Sequence, residues 1–521
     1  MLASHYFDAY QASKAGDEAD ALAAQARISL QGAAERAASL HSHRQAVGYL
    51  EQAIAITADP ADKAALYLRA TESGEHYDVT KAIQHASAAR ELYRSLGDVP
   101  GALRAATWLG RHHTTTKLEP QAVTIFEEAM AEAADLAESE EYAALLAELS
   151  RVYMMTGRAE EAVETADRSL NLAGHRVLTR PVVEALINKG TALMWVGRRT
   201  EAAALLRGAA AEADRSGLSL PALRARNNLL GITMADSWTD GYALERDGYE
   251  LALRLGASVF VQQFLMLLAF GSLRVGEWGA WKKEIEALEE AEPIDPFIQL
   301  CFAQYRAVLG ALRGDREEAR RQLEIGKAAG TQLDSMLATS TSAMSEAQVA
   351  VLVGDWPTGA RSALEAATDN NWELDGPDLA ARAAIAGDLD AELAQAIALL
   401  RPQQGSGRVA DAALAAAEAG QAARAGRWEE ARAGYRRALS LRHQAGDAML
   451  AALDGLNWGL LAGDHDPEAK TAMTEAEAFF AWRGATPMVN AFKSAFAPVA
   501  NVTAAAPPAS VTRSEVPAGK T

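Results

Sequence analysis

One turn motif recurs at nearly constant spacing along this 521-residue chain, and it restricts what the chain can fold into. Its clearest copy lies in residues 141–173. Leu145, Leu149, Val152 and Tyr153 precede Gly157-Arg158, and Ala162, Ala166, Leu170 and Leu172 follow it. Intervals of three and four residues keep apolar side chains on one helix face, so the stretch predicts two antiparallel helices meeting at Gly157. Equivalent turns stand at Gly197, Gly276, Gly314, Gly354, Gly426 and Gly463. Their spacing is about 37–40 residues, apart from two gaps near twice that length. Each gap holds a weaker copy, at Asp236–Gly241 and at Gly387–Ala391, and Lys117, Tyr77 and His41 open further copies upstream. The ladder predicts about twelve helical hairpins.

A second glycine series marks the turns between hairpins: Gly97, Gly174, Gly217, Gly256, Gly330, Gly446 and Gly484. Glycine after a helix supplies the left-handed residue that closes it, and Asp98 and Asp447 then stand where an N-cap is wanted. Trp278, Trp356 and Trp428 each lie two residues after a hairpin glycine, and Trp195 two before one. At a repeated turn position they read as wedges between neighbouring hairpins.

The pattern Gly-x-x-Glu-Glu-Ala at Gly157, with Tyr153 four residues ahead of the glycine, resembles a tetratricopeptide (TPR) repeat. The resemblance implies an all-α, right-handed superhelical solenoid. The period exceeds the usual 34 residues, which points to helices about a turn longer. Pro- and Gly-containing breaks at Leu374–Asp378 and Arg401–Gly407 suggest a joint near residue 400. The expected division is an array over 1–400, further hairpins over 401–497 as a sub-array, and a disordered tail over 498–521, where Ala, Pro, Ser and Thr show no periodicity.

Composition excludes several classes. A net charge of −19 argues against a nucleic-acid surface, since phosphate binding needs clustered Lys and Arg. A single cysteine, Cys301, precludes an internal disulfide and fits a reducing cytoplasm. The longest apolar run, Phe264–Phe270, falls short of the roughly 18–20 residues that span a bilayer. No secretion signal is apparent at the N-terminus, so a cytoplasmic protein without membrane contact is expected.

The segments Ala3–Tyr10, Ala21–Arg27 and Tyr49–Ile56 resemble the start of the TPR array in bacterial regulators that join a class III nucleotide cyclase to a STAND-type ATPase. That resemblance covers about the first 110 residues and implies a sensing or scaffolding array with a separately encoded cyclase or ATPase as partner. The activities themselves do not carry over, because no Gly-x-x-x-x-Gly-Lys-[Ser/Thr] occurs. Gly519-Lys520-Thr521 has Ser514 where the first glycine should stand.

Nothing else reads as catalytic. His41 and His43, and His112 and His113, have spacings that point in different directions on a helix, unlike metal ligands three or four residues apart. Glu160-Glu161, Glu317-Glu318 and Glu429-Glu430 open the second helices of hairpins, where negative charge suits the helix dipole. No Gly-x-Ser-x-Gly elbow appears. The expectation is a non-catalytic module with no cofactor or metal that binds a protein or peptide partner. In a TPR register, Arg111, Arg151, Thr191, Leu230, Phe270 and Val308 form one row on the inner helices, with Met266 beside Phe270. Such a row would run from basic to apolar and suit an acidic peptide or an amphipathic helix.

Overall fold

The computed structural model describes residues 2–497, apart from positions 15, 41, 75–77, 117, 177–178, 292, 334, 368–373 and 464–465. The tail expected to be disordered, and His41, Tyr77 and Lys117, fall outside the described residues. Among those residues the protein is all-α, with 26 α-helices and no strand. Taken in pairs from the second helix to the twenty-fifth they make twelve, the number the turn ladder leads one to expect. The fold is a tandem array of TPR-like hairpins.

The chain forms two compact units, divided between Leu268 and Ala269. The first unit opens with α1 (Leu2–Ala12), α2 (Asp17–Ser39) and α3 (His43–Ala55). It continues with α4 (Pro60–Gly74), α5 (Val79–Ser95), α6 (Val99–Thr115) and α7 (Glu119–Glu132). Next come α8 (Glu140–Met155), α9 (Ala159–Arg176), α10 (Thr179–Trp195) and α11 (Arg199–Arg215), then α12 (Ser219–Asp236) and α13 (Trp238–Leu255). Each first helix packs on its own second helix, and α6, α8, α10 and α12 also pack on one another in that order. Buried alanines allow this closeness: Ala143, Ala147, Ala166 and Ala185 have almost no exposed surface.

The turn chemistry follows the sequence closely. Gly157 sits at φ 75° between α8 and α9, a conformation that costs a side-chain-bearing residue about 1–2 kcal/mol. Asp98 caps α6, accepting from the Gly101 amide at 2.8 Å. The glutamate pairs open α9 and two later helices as expected. Three glycines depart from the pattern. Gly174 lies inside α9, Gly330 ends a helix without leaving the right-handed region, and Gly463 has φ −58°.

The second unit contains the break expected near residue 400, yet the units do not part there. Their boundary falls within α14 (Ser258–Val275). One apolar cluster runs through residue 400, joining Ile385, Leu393, Ile397 and Leu400 to Ala413 and Leu414. Proline and glycine at 401–407 therefore shape a short surface turn between helices that share one core. After α14 come α15 (Lys282–Ala291), α16 (Pro296–Arg313), α17 (Arg316–Gly330), α18 (Met336–Val353) and α19 (Trp356–Ala366). They are followed by α20 (Asp375–Gly387), α21 (Asp390–Leu400), α22 (Arg408–Arg424) and α23 (Trp428–Ala445). The last are α24 (Ala448–Ala462), α25 (Pro467–Trp482) and α26 (Thr486–Ala495).

In a plain solenoid each repeat touches only its neighbours. The second unit breaks that rule, because α25 and α26 return to the hairpin turns of its first helices. Arg483 Nε donates to the Gly276 carbonyl at 2.7 Å, across 207 residues of sequence. Trp278 meets Phe479 edge-on at 5.8 Å. Trp356 donates to the Ala495 carbonyl at 2.6 Å and meets Phe492 edge-on at 4.7 Å. Trp278 and Trp356 thus anchor the returning C-terminal helices; Trp356 also lies against Gly387 of the following hairpin, as a wedge between neighbours would, while Trp195 is half exposed.

Charge is buried here too. Arg442, fully buried, meets Asp378 at 2.6 Å, Asp447 at 3.1 Å and Asp454 at 3.2 Å. Arg382 pairs with Asp378 and Asp454, and Arg274 with Asp375 and Asp447. Asp447 holds the N-cap position of α24 but does not cap it; its carboxylate is drawn into these ion pairs. Helix α14, at 18 residues and mean hydropathy 1.5, is long and apolar enough to cross a membrane, more so than its seven-residue apolar run indicates. Just over half of it is buried, and Arg274 near its end is ion-paired, as in a core helix.

Candidate functional site

The first helices of the first unit present a common face, and a cavity of about 410 Å³ opens on it. All of its lining comes from α4, α6, α8 and α10. Its size lies in the range of about 300–1,000 Å³ typical of ligand sites. Leu68, Trp108, Ala144, Ala147 and Pro181 supply the apolar surface. Two Arg–Glu rungs join α6 to α8 across this floor. Arg104 donates to Glu141 at 3.0 Å, and Arg111 meets Glu148 at 3.3 Å. Seven residues separate the rungs along each helix, two turns or about 10 Å.

Trp108 lies between the rungs. The Arg111 guanidinium stands 5.1 Å from its ring centre and that of Arg180 5.9 Å, while the His112 ring is 5.7 Å away. Cations over an indole are attracted by the negative face of the ring. Arg180, in the first turn of α10, is exposed and makes no ion pair among the described residues.

Behind the floor a polar ladder crosses α8, α10 and α12. Arg111 also approaches Glu184 at 3.5 Å, and Arg224 of α12 pairs with the other oxygen of Glu184. Arg224 donates to Asn188 at 3.0 Å, and Asn188 donates to the Ala147 carbonyl at 2.8 Å and to Ser150 at 3.0 Å. Asn228 donates to Thr191 at 2.8 Å. Burial alone would raise the Glu184 carboxyl. Arg224, Arg111, Arg151 and Arg180 outweigh it and hold that carboxyl down to about 2. Burial, with Arg224 close by, pulls the Arg151 guanidinium down to about 10, still protonated at neutral pH.

The sequence-derived row meets this geometry unevenly. Arg111 and Arg151 do come together, both on Glu148, with Arg151 at 3.8 Å. Arg111 is buried and Arg151 half-buried, however, and both belong to an ion-pair network and not to an open basic strip. Thr191 is buried, its hydroxyl donating to the Ile187 carbonyl at 2.8 Å. Leu230 and Val308 are core residues. Met266 and Phe270, half-buried on α14, do not line the cavity. Sequence reading missed Trp108, Arg104 and Arg180. The repeat period could have found Arg104, since Glu141 lies 37 residues on with opposite charge.

No protein-family model matches the chain, and no curated protein is similar to it. The N-terminal resemblance to cyclase and STAND regulators gains no support from either comparison. Solved structures with similar helical arrays include a Rap protein complexed with competence and sporulation factor, at 11% identity and TM-score 0.39. It covers 80% of this chain and 98% of that one. Aspartyl phosphate phosphatase F from Bacillus subtilis is similar at 13% identity over 55% of this chain and 79% of that one, TM-score 0.39. The APC/C hetero-tetramer Cut9-Hcn1 is similar at 12% identity over 90% and 96%, TM-score 0.34. At such scores the fold rests on the hairpins described above, and no residue role is carried over from those proteins.

Proposed function

We propose that the chain is a non-catalytic binding array that holds a peptide segment of a protein partner on the first-helix face of its first unit. One observation carries this reading: the cavity draws its whole lining from four successive first helices and combines an apolar floor with Arg–Glu rungs. Apolar floors take side chains, while ordered donors and acceptors fix the register of a segment laid over them. The groups seen are paired guanidiniums, carboxylates and an indole, which suit holding more than bond-making.

The test is selection of capped dodecapeptides from a random library on the intact chain, followed by fluorescence polarisation with the enriched sequences. Ala144→Trp fills the cavity floor from a half-buried position. Enriched peptides should lose at least tenfold in affinity for this variant, with helix content unchanged by circular dichroism. Equal binding to both proteins would place recognition elsewhere and overturn the reading.

A further inference from the structure

Among the described residues, the charges around the cavity cancel. Five carboxylates line it, those of Glu72, Glu140, Glu141, Glu148 and Glu184. Against them stand the guanidiniums of Arg104, Arg111 and Arg180 in the lining, with Arg151 on Glu148 and Arg224 on Glu184 behind it. The step from Gly157 to Gly197 sets Arg180 of α10 level with Glu140 of α8, so cation and carboxylate stand together at the mouth as well. A charged side chain entering this space would gain from one neighbour and lose to the next. What the cavity offers is an apolar middle at Trp108, Ala144 and Pro181 with both signs of charge around it.

Resting on the peptide-binding reading above, we infer that the cavity takes one uncharged aromatic side chain of the peptide, its ring lying on Trp108.

An aromatic ring is neutral as a whole but carries a quadrupole, negative on its faces and positive at its edge. It answers both signs at once, with guanidiniums over a face and carboxylates at the edge. Trp108 already shows the first half of that pattern, with Arg111 and Arg180 at 5.1 and 5.9 Å from its ring centre. Arg111 is buried and committed to Glu148 and Glu184. Arg180 is exposed and makes no ion pair among the described residues, and a ring stacked on Trp108 brings a second aromatic face within its reach. An aliphatic side chain of the same size would cover Arg180 and Glu140 without answering either, and a charge removed from water without a partner is costly. The space agrees. Ala144 and Ala147, one turn apart on α8, keep the floor low, and the cavity of about 410 Å³ leaves room for a ring above them.

The experiment uses the intact chain and four fluorescein-labelled, C-amidated heptapeptides with glutamine flanks. They differ only in the central residue: phenylalanine, cyclohexylalanine, glutamate or lysine. Cyclohexylalanine matches the phenylalanine ring in size and exceeds it in hydrophobicity, but lacks the quadrupole. By fluorescence polarisation the phenylalanine peptide should bind tightest, roughly fivefold or more ahead of cyclohexylalanine, the margin an aromatic contact adds beyond its buried area. Raising salt from about 0.05 to about 0.5 M should change its affinity by less than about twofold, because no charge of the ligand is there to be screened. Arg180→Gln, at an exposed position outside the buried network, should close most of the gap between phenylalanine and cyclohexylalanine, with helix content unchanged by circular dichroism. A cyclohexylalanine peptide that binds as tightly, a charged peptide that binds tighter, or a gap that Arg180→Gln leaves whole would overturn the aromatic assignment. Silence from all four, where library-selected peptides bind, would overturn it too and leave peptide binding standing. Silence from the library peptides as well would overturn both.

Discussion

Arg104 and Glu141 stand 37 residues apart in sequence and 3.0 Å apart in space. The distance in sequence is one repeat, so the pair ties equivalent turns of consecutive first helices. Arg111 and Glu148 repeat the arrangement two helical turns further on. Repetition thus places charge on the inner face at regular intervals, and the partners that neutralise it decide which charges remain available.

Arg111 and Arg151 are the first case. Reversing both to glutamate, which a reading of the row as open surface would tolerate, adds two carboxylates beside buried Glu148 and Glu184. Breaking a buried pair costs about 3–5 kcal/mol. Arg111→Glu with Arg151→Glu should therefore lower the urea midpoint sharply. A midpoint equal to that of the parent would show that the network carries no stability.

In the second unit Arg442 holds Asp378, Asp447 and Asp454 together in a site without solvent. Arg442→Met leaves Asp378, Asp447 and Asp454 with only Arg382 and Arg274 to offset them and should cost about 3–5 kcal/mol in denaturant unfolding. The exposed Arg436–Glu468 pair is the control. Arg436→Ala should leave the midpoint in place, because solvent screens that pair.

Phe492 has no exposed surface and packs against Trp356. Phe492→Ala should cost about 3–5 kcal/mol through lost contact and the cavity left behind. The matching observation is faster hydrogen exchange in α26 and α19, the helices this contact joins. Unchanged exchange in α19 would mean that the returning helix does not support the earlier hairpin.

Glu245 on α13 is fully buried, and neither carboxyl oxygen has a hydrogen-bond partner among the described residues. Burial raises its carboxyl well above the ordinary range. Between the unfolded value near 4.3 and that raised value, the folded state binds the extra proton, so stability falls as pH rises. Glu245→Leu should raise stability at pH 7 by roughly 1–3 kcal/mol and flatten the decline with pH above about 4.3. A lower midpoint for the variant would contradict this.

What the sequence disclosed was local. Gly157, Asp98 and the glutamates of α9 act within one turn of their own position, so their roles are visible in a short window. Asp447 shows the limit: it stands where a cap belongs, yet Arg274, 173 residues away, competes for the same carboxylate. The return of α26 onto Trp356 is equally hidden, since a 139-residue hydrogen bond leaves no periodic trace. Of the candidate site, the arginine row was legible and its neutralisation was not, because Glu184 reaches Arg111 across two repeats.

The most direct measurement places a photoreactive leucine analogue at the apolar position of a selected peptide and maps its cross-links on the intact chain by mass spectrometry. The account predicts cross-links on α6, α8 and α10, concentrated at Trp108, Ala144 and Pro181. Cross-links confined to second helices such as α9 and α11, or to the second unit, would contradict it.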